Sequence, residues 1–577
     1  MKLPSFRNYA FIFILPCLGL AITLIYRSAA GPFWMFWDPT YVYFFSAIQM
    51  FKSITPTFID HPGAPLQALI FIIIWFFNIG HSTSQTIDRV LTDPEFYLQV
   101  TNVFLMVSLF LSSVLLGGYA FYKTKDKIAA ILTQLPVIFL LNMREMWHGS
   151  VVVASVNTEN LIFSITNLFI LFILALFYAE NNFKKFLAVL FLGIIAGIGI
   201  TTQFYFCMLI LLAFILIPRH LRIIFILTFL SSSLLVTFPI ISKLPLMLKI
   251  LTGILIHTGY YGAGREGFID WNYTWTIIKI NLWPGYWFFL CSSLYMLIWS
   301  LIKINKEPKD RGVRYLTIVT SCIFLYFFMV LKQWGDRYLI PGIQIFGLAL
   351  FFFYLSRMAP YQRLKKWVIV FIIIFVLASL GQTYQRYTEL HSFTKNILDF
   401  HQKVETKYPN CTFISDDYYN QNYAMLFSNS YTFHHMDQEL TRLYPKSFYF
   451  INEKRDSIDL QRSYYDGFGI WNARQRIFAD DLLSTSPCVI FLKRYSDPIE
   501  GQYNAVLLEK SEYLKAYLLT SSTEKQAREY FINARDLFVK GEYAEALIPA
   551  LKSKVLNFEP SQEIDFLLLN LYQHLHH

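Results

Sequence analysis

The stretch APLQALIFIIIWFFNI, residues 64–79, contains no charged residue and is apolar over nearly its whole length. Similar runs recur along the chain, which has 577 residues, of which 55% are apolar, 18% are aromatic and only 15% are charged. Soluble proteins have about 25% charged residues on average. A soluble globule of this length has too little interior to bury so much apolar surface, so the sequence predicts an α-helical polytopic membrane protein.

Eleven other segments are predicted as membrane spans, for which about 20 mostly apolar residues are typical. They are 9–27, 99–122, 128–142, 160–179, 186–201, 203–217, 221–241, 283–302, 313–331, 338–356 and 366–383. Residues 64–79 are the segment that decides the topology, because one additional crossing inverts the orientation of everything that follows.

The distribution of Lys and Arg favours eleven crossings, with residues 64–79 lying at the outer face. With a cytoplasmic N-terminus, the inner gaps together hold fifteen Lys and Arg in 41 residues. These gaps are 1–8, 123–127, 180–185, 218–220, 303–312 and 357–365. The outer gap 28–98 holds only Lys52 and Arg89. Because short cytoplasmic loops are enriched in Lys and Arg, the tail after residue 384 is predicted to be extracytoplasmic.

We expect an integral multi-pass protein of a bacterial inner membrane, although an endoplasmic reticulum membrane has the same geometry. Lys2 and Arg7 precede the first span, which lacks a small-residue cleavage site, so we expect it to be a retained anchor. The net charge is +10, but no basic stripe with interleaved aromatic residues stands apart from the gaps between spans. The sequence therefore predicts membrane lipids as its surroundings and no nucleic-acid partner.

From about residue 385 the composition becomes polar, and candidate helices alternate with short apolar runs. This alternation predicts a soluble extracytoplasmic α/β domain over 385–520. The helices are 385–407, 418–427 and 474–484, and the runs are 411–415, 447–451, 488–492 and 503–508. Cys411 and Cys488 each open one of these runs. A disulfide between them is expected if the two strands are neighbours in an oxidising compartment.

Residues 521–577 are predicted to form a helical hairpin. The stretch GEYAEAL, residues 541–547, resembles the turn of a tetratricopeptide hairpin. Pro560 falls two residues late for that consensus, and one repeat cannot form a solenoid. We therefore expect the hairpin to pack on the α/β domain, with binding of a protein partner as an alternative role.

The most informative polar residue of the membrane part is Asp38, in the sequence WDPTYVY of residues 37–43. A carboxylate near lipid costs on the order of 2.5–3.5 kcal/mol to bury, so a chain keeps one where it is paired, solvated or used. The alternative interpretation is that Asp38 caps a helix beginning at Pro39. The two roles are compatible, because capping would also orient the carboxylate.

A second motif, DHPGAPL at residues 60–66, opens the apolar helix at the outer face. An acidic residue after the first span, an aromatic helix and an HPxxPL-like turn before a short outer-face helix together resemble the GT-C superfamily of polytopic glycosyltransferases. Within it, the resemblance is greatest to the branch of dolichyl-phosphate-mannose protein mannosyltransferases and bacterial aminoarabinose transferases of lipid A.

Two later motifs agree with this resemblance, which covers about residues 9–384. NTEN at 157–160 occupies the place where that branch carries a polar motif ahead of the fourth span, and KQWGDRYLIP at 332–341 is similar to its RYLLP-type signature. Two features depart from the pattern. Asp38 is followed by proline rather than a second acidic residue, and the double proline after His61 is spaced out. The subfamily, and hence the sugar, is left open.

The resemblance implies a catalytic membrane domain over 1–384 that transfers a sugar from a polyprenyl-phosphate donor to an acceptor hydroxyl on the outer face, with inversion. It implies that Asp38 is the general base and that Arg337 and Lys332 stabilise the departing phosphate. The acceptor is a glycan, a lipid or a protein. Arg337 suits a phosphate because its planar fork holds two oxygens at once; the alternative is an interface anchor.

The remaining candidate substrate contacts are polar or aromatic residues of the outer loops. They are Asp60, His61, Asn157, Glu159, His257, Tyr261 and Tyr338. His257 and Tyr261 lie in a glycine-rich stretch of the predicted outer loop 242–282, which is expected either to cover the site or to have no chemical role. No cofactor is assigned. A divalent metal stays open, although no dense carboxylate or histidine cluster requires one.

Three other functions stay open at this stage. A transporter or lipid flippase would also have many spans, but it would keep ionisable residues near the midplane of two related halves. A polymerase or ligase of lipid-linked oligosaccharides would share the compartment and the carrier. In the third alternative the membrane part is an anchor for a functional tail.

Overall fold

The structure is a computed structural model, in which two compact units, Met1–His391 and Ser392–His577, are distinguished by their internal contacts. It describes residues 9–59, 63–143, 152–258, 265–272, 274–276, 284–332, 335–415, 420–445, 447–451, 469–472, 475–477, 479–486, 488–494, 505–519, 524–555 and 561–576. Within these ranges the side chains of some residues are not described, among them Trp37, Asp38 and Asp336. The predicted domain boundaries at 384 and 520 stay predictions.

The described part of the first unit is built of α-helices. They are α1 (Ile14–Ala29), α2 (Trp37–Phe51), α3 (Ala64–Phe77), α4 (Thr83–Thr92), α5 (Pro94–Thr124), α6 (Lys127–Leu140), α7 (Thr158–Phe177), α8 (Asn182–Thr202), α9 (Cys207–Leu216), α10 (Arg222–Thr237), α11 (Leu244–Ile256), α12 (Pro284–Lys306), α13 (Arg311–Lys332), α14 (Ile340–Phe353) and α15 (Gln362–Lys407), the last of which continues into the second unit.

Among the described residues, nine helical segments are long and apolar enough to cross a membrane. They correspond to nine of the eleven predicted spans. The other two predicted spans, 128–142 and 203–217, correspond to the shorter apolar helices Lys127–Leu140 and Phe204–Leu216. The segment 64–79 corresponds to a third short apolar helix, Ala64–Phe77. The helical polytopic membrane fold is therefore confirmed, whereas the number of crossings stays a prediction.

Two helices are longer than the sequence predicted. Leu244–Ile256 lies in the predicted outer loop, yet it is helical and ends the 38-residue segment Arg219–Ile256. Its sequence, LPLMLKILTGILI, is apolar and has its only proline in the first helical turn, where proline is tolerated. Similarly, α15 joins the predicted span 366–383 to the predicted helix 385–407, because a change from apolar to polar residues does not break a helix.

Helices α8 and α10 pack backbone against backbone through glycines. A Cβ atom at Gly193 would lie 2.9 Å from the carbonyl oxygen of Phe225, and one at Gly197 would lie 2.7 Å from that of Phe229. Real Cβ atoms do not approach backbone this closely. Small residues at such a spacing let membrane helices meet where lipid provides no hydrophobic driving force.

We predict that Gly197→Ala destabilises the protein by about 1–3 kcal/mol, because the Phe229 carbonyl cannot move away without shifting α10. Gly118→Ala is the matched control, since a Cβ there would meet nothing within 4 Å. The control should be neutral or slightly stabilising, because alanine is the better helix former. Unfolding by denaturant in detergent measures both. Equal stabilities of the two variants would contradict the close packing.

The second unit contains a seven-stranded mixed sheet of order β4-β3-β2-β1-β5-β7-β6 among its described residues. The strands are β1 (Thr412–Ser415), β2 (Phe448–Ile451), β3 (Gly469–Asn472), β4 (Gln475–Ile477), β5 (Val489–Arg494), β6 (Ala505–Lys510) and β7 (Leu514–Leu519). Its helices are α16 (Gln421–Tyr431), α17 (Asp437–Leu443) and α18 (Ala479–Thr485). The predicted α/β character of the tail is confirmed. Its four predicted apolar runs are strands β1, β2, β5 and β6.

The chain ends in three helices, α19 (Glu524–Val539), α20 (Tyr543–Val555) and α21 (Ser561–His576). Gly541 makes the turn between the first two with φ +82°, a conformation that favours glycine. The predicted hairpin is therefore present, and α21 adds Leu568 and Leu571 to the core that it encloses with Phe531 and Ala546. Binding of a protein partner there stays a prediction.

The expected disulfide is also present. Strands β1 and β5 pair in parallel, with Thr412 opposite Val489. The preceding residues, Cys411 and Cys488, are bonded to each other with their Cα atoms 4.6 Å apart. The bond therefore links two central strands at their N-terminal ends.

Reduction of this disulfide is predicted to destabilise the second unit by about 4 kcal/mol, from the chain entropy regained by the unfolded state when a loop of 77 residues is opened. The measurement is the thermal unfolding of the full chain with and without dithiothreitol, repeated for Cys411→Ser/Cys488→Ser. In that variant the reductant should have no further effect. A control without Cys17 and Cys291, which are exposed free thiols, should keep the full response.

Candidate functional site

The site is built around the beginning of helix α7. Asn157 caps this helix, because its Oδ1 accepts the Asn160 amide at 2.9 Å, while its Nδ2 donates to the Ser155 hydroxyl at 2.8 Å and the Val152 carbonyl at 3.1 Å. The cap places Glu159 in the first helical turn, near the positive end of the helix dipole. Contact between Asn157 and a substrate stays a prediction.

Glu159 forms a buried ion pair with Arg337, whose Nε lies 3.4 Å from Glu159 Oε1. The Glu159 side chain is 1% exposed and that of Arg337 is 13% exposed. Arg337 lies in a short 3-10 helix, Asp336–Leu339, directly before α14. Sequence reasoning named both residues as site residues, and the structure shows that they contact each other across 178 positions of the chain.

Tyrosines and uncharged polar groups surround this pair. Tyr338 stacks on Tyr205, with ring centroids 4.6 Å apart, and its hydroxyl lies 3.4 Å from Arg337 Nη2. Tyr43, from α2, is fully buried near the pair. Burial raises the pKa of Tyr43 well above its usual range, and the negative charge of Glu159 adds to this effect. Its hydroxyl therefore keeps its proton and is a neutral hydrogen-bond donor.

The described residues on either side of the Asp60–His61 motif include Phe58 and Gly63. Asp60, His61 and Pro62 lie outside the described residues, but their flanks are described. Phe58 packs edge-on against Tyr43 at 5.1 Å, and the Gly63 amide contacts the Thr202 carbonyl at 3.4 Å. Thr202 precedes Gln203, whose side-chain Nε2 donates to Thr158 Oγ1 at 3.4 Å. One flank therefore contacts Tyr43, and the other contacts Thr202, the residue before Gln203.

Lys332 is hydrogen-bonded to three backbone carbonyl oxygens. Its ammonium donates to the carbonyl oxygens of Phe268 at 2.6 Å, His257 at 3.0 Å and Leu255 at 3.4 Å, and its side chain is buried. His257 is bridged to Glu266 across the neck of the predicted outer loop. Lys332 thus fastens this neck, and its contact with a phosphate stays a prediction, as do those of His257 and of Tyr261, which lies outside the described residues.

Asp38 is the second residue of α2, which begins at Trp37 rather than at Pro39. The alternative prediction, a helix that starts at Pro39 with Asp38 as its cap, is therefore wrong, because the helix starts two residues earlier and includes Asp38. A 3-10 helix, Phe33–Phe36, runs directly into α2, and Pro39 fits within the first turn because no intrahelical partner is needed for its nitrogen. The role of Asp38 as a base stays a prediction.

Sequence reasoning missed a second carboxylate that makes long-range contacts, the half-buried Glu95. It accepts hydrogen bonds from the backbone amides of Phe33 and Trp34 and from the Tyr41 hydroxyl. The motif Asp93-Pro94-Glu95 gave no signal of this, because a capping residue, a proline and an acidic residue are what any helix start contains. Asp93 does cap α5, through the Phe96 amide at 3.2 Å.

The described residues contain no group of three or more His, Cys, Asp or Glu side chains arranged to hold a metal ion. The side chains of Asp38, Asp60 and His61 do not belong to the described part of the chain. A divalent metal therefore stays as open as it is from the sequence, and no residue is assigned to one.

Comparison with solved structures finds a fold similar to that of this chain. ArnT from Cupriavidus metallidurans, solved with bound undecaprenyl phosphate, matches with a TM-score of 0.50 at 11% identity over 89% of this chain and 98% of that chain. The oligosaccharyltransferase of Archaeoglobus fulgidus matches more distantly, with a TM-score of 0.40 at 10% identity over 79% of this chain and 73% of that chain. No family model and no curated protein sequence matches. At 11% identity, the likeness to ArnT concerns the fold alone.

We predict that Glu159→Gln lowers the free energy of unfolding by about 3 kcal/mol, because it leaves the Arg337 charge buried and uncompensated. Glu159→Gln/Arg337→Gln should recover part of this loss. Glu180→Gln is the matched control, since Glu180 pairs with Lys184 at 3.2 Å but is 76% exposed, and such pairs contribute about 0–1 kcal/mol. Unfolding titrations in detergent measure all three. Equal losses from Glu159→Gln and Glu180→Gln would contradict the buried pair.

Proposed function

We propose that this protein is a membrane glycosyltransferase that takes a sugar from a polyprenyl-phosphate donor and transfers it, with inversion, to an acceptor hydroxyl at the outer face. The observation that carries the proposal is the buried Glu159–Arg337 pair, ringed by tyrosines at the helix ends of a GT-C fold. The undecaprenyl phosphate bound by ArnT supports a donor of this chemical class.

Arg337 is proposed to receive the phosphate. Its contact with Glu159 is made through Nε, at one edge of the guanidinium, and the terminal amino groups are the proposed donors to the phosphate oxygens. As the bond between phosphate oxygen and anomeric carbon breaks, the leaving group gains a second negative charge. A fixed cation in a site of low dielectric stabilises this charge more than the same cation does in water.

Asp38 is proposed to take the proton from the acceptor hydroxyl, whose oxygen then bonds to the anomeric carbon on the side opposite the phosphate. The backbone of residue 38 precedes Tyr43 by five positions on α2, which is about 8 Å along a helix axis. This separation is compatible with a base on one side of the sugar and the Arg337 region on the other. Tyr43, held neutral, is a candidate donor to a phosphate or sugar oxygen.

The proposed orientation places the N-terminus in the cytoplasm and the second unit outside it, in a bacterial inner membrane. Two observations support this. The helix ends near Glu159 and Arg337 lie opposite the Lys- and Arg-rich gaps. In addition, the Cys411–Cys488 disulfide is the kind of bond that persists outside the cytoplasm.

The proposal predicts that purified protein in nanodiscs releases free polyprenyl phosphate from one member of a panel of polyprenyl-phosphate sugars, when glycan, lipid and peptide acceptors are supplied. Mass spectrometry detects both products. Asp38→Asn should lower the rate at least 1,000-fold, as expected for loss of a general base, and Arg337→Met about 100- to 1,000-fold. Lys184→Met, which removes an exposed cation, should leave the rate unchanged.

Other outcomes assign other functions. Equal rates for wild type and Asp38→Asn would remove Asp38 as the base but keep the enzyme class. Turnover of lipid-linked oligosaccharides alone would indicate a ligase or polymerase. A folded protein that releases no polyprenyl phosphate from any donor, but moves a labelled lipid across a vesicle bilayer, would be a flippase.

A further inference from the structure

One half-buried carboxylate, that of Glu95, holds the chain on both sides of residue 38. Glu95, the second residue of α5, accepts the Phe33 amide on Oε2 at 2.8 Å and the Trp34 amide on Oε1 at 3.0 Å. Oε1 also accepts the Tyr41 hydroxyl at 2.7 Å. Phe33 and Trp34 precede residue 38, whereas Tyr41 follows it by almost one helical turn.

A carboxylate is a suitable acceptor for these three hydrogen-bond donors. Phe33 and Trp34 are the first two residues of the 3-10 helix Phe33–Phe36, and the first amides of a helix have no partner within it. An anion at this position gains from charge-assisted hydrogen bonds and from the positive end of the helix. The neutral amide of a glutamine would lose the charge and one of the two acceptor oxygens.

Arg27 links the segment that Glu95 holds to the segment before α7. Its guanidinium carbon lies 3.9 Å from the centroid of the Phe33 ring, and its Nη1 donates to the Ala154 carbonyl at 2.6 Å. Its positive charge also attracts Glu95. Ala154 belongs to the short helix Val152–Ala154, which leads to the Asn157 cap and Glu159. The segment before α2 and the segment before α7 are therefore linked through two charged side chains.

We infer that Glu95 is a positioning residue for the proposed base, because it fixes the backbone on both sides of residue 38 at the start of α2. The inference rests on the proposed function for its catalytic meaning. A displacement of about 1 Å in a reacting group lowers a rate about 100-fold. Loss of the Glu95 carboxylate is therefore expected to act on kcat rather than on binding of the donor.

The kinetic test compares Glu95→Gln, Tyr41→Phe, Asp38→Asn and Asp38→Asn/Glu95→Gln, with Glu180→Gln as the exposed control. We expect Glu95→Gln to lower kcat about 100-fold with KM changed less than about 3-fold, and Tyr41→Phe to lower kcat by a smaller factor. The double variant should be no slower than Asp38→Asn, because a residue that acts only through Asp38 has nothing left to position.

A second measurement does not need activity. Hydrogen exchange of the full-length protein, read by mass spectrometry, should show the amides of residues 33–37 exchanging at least 10-fold faster in Glu95→Gln than in wild type. Amides of α13 serve as the internal reference and should not change. Glu180→Gln should leave both regions unchanged.

The outcomes separate this inference from the proposed function. Unchanged exchange at residues 33–37 overturns the inference whatever the activity, and so does faster exchange with an unchanged kcat. A double variant slower than Asp38→Asn by the full factor of Glu95→Gln also overturns it, since Glu95 would then act independently. A wild type without turnover would defeat the proposed function and the catalytic meaning of Glu95, whereas exchange would still report whether Glu95 holds the segment.

Discussion

The arrangement of the site depends on two glutamates, the buried Glu159 and the half-buried Glu95, each at the second position of a long helix. Glu95 follows the Asp93 cap of α5, and Glu159 follows the Asn157 cap of α7. In both helices the local capping is complete without the glutamate, which leaves its carboxylate available for a distant partner. One partner is the segment before α2, and the other is Arg337 before α14. A helix N-terminus stabilises each of the two negative charges, so the same arrangement occurs twice.

In the proposed function, a neutral ion pair is a suitable resting state for a site that would bind an anionic lipid. A lone guanidinium buried at the edge of the bilayer would be costly whenever the donor is absent, because a buried charge without a partner loses its hydration. Glu159, whose side chain is 1% exposed, offsets that cost by pairing with Arg337. In the proposed reaction, the phosphate would bind an arginine whose orientation is already fixed, so the entropy of ordering its long side chain has been lost beforehand.

The sequence predicted what depends on composition and local pattern, and missed what depends on distant partners. Long apolar runs became helices, and the apolar runs 411–415, 447–451 and 488–492 became strands. Strand β4 was assigned to a helix because its three residues are too few for a periodicity to be recognised. Arg337 and Glu159 were recognised by residue type, but nothing local showed that they contact each other. Glu95 was missed because its surroundings in the sequence already account for it.

The two helix starts and Arg337 keep their relative positions because their helices are hydrogen-bonded inside the membrane. Asn167, eight residues after Glu159, donates to the Ser113 hydroxyl of α5 at 3.0 Å. Gln344, seven residues after Arg337, donates to Asn167 Oδ1 at 3.1 Å and to the Phe163 carbonyl at 2.9 Å.

Hydrogen bonds of this kind contribute only about 0.6 kcal/mol each in a membrane, so their main effect is on register rather than on stability. A sliding of α14 by one turn would move Arg337 by about 5 Å and break its contact with Glu159. The amide network makes that slip unfavourable, because it would leave Asn167 and Gln344 without partners in an apolar interior. Polar residues deep in the bundle therefore fix the geometry of a site that lies about 10 Å away along the helix axes.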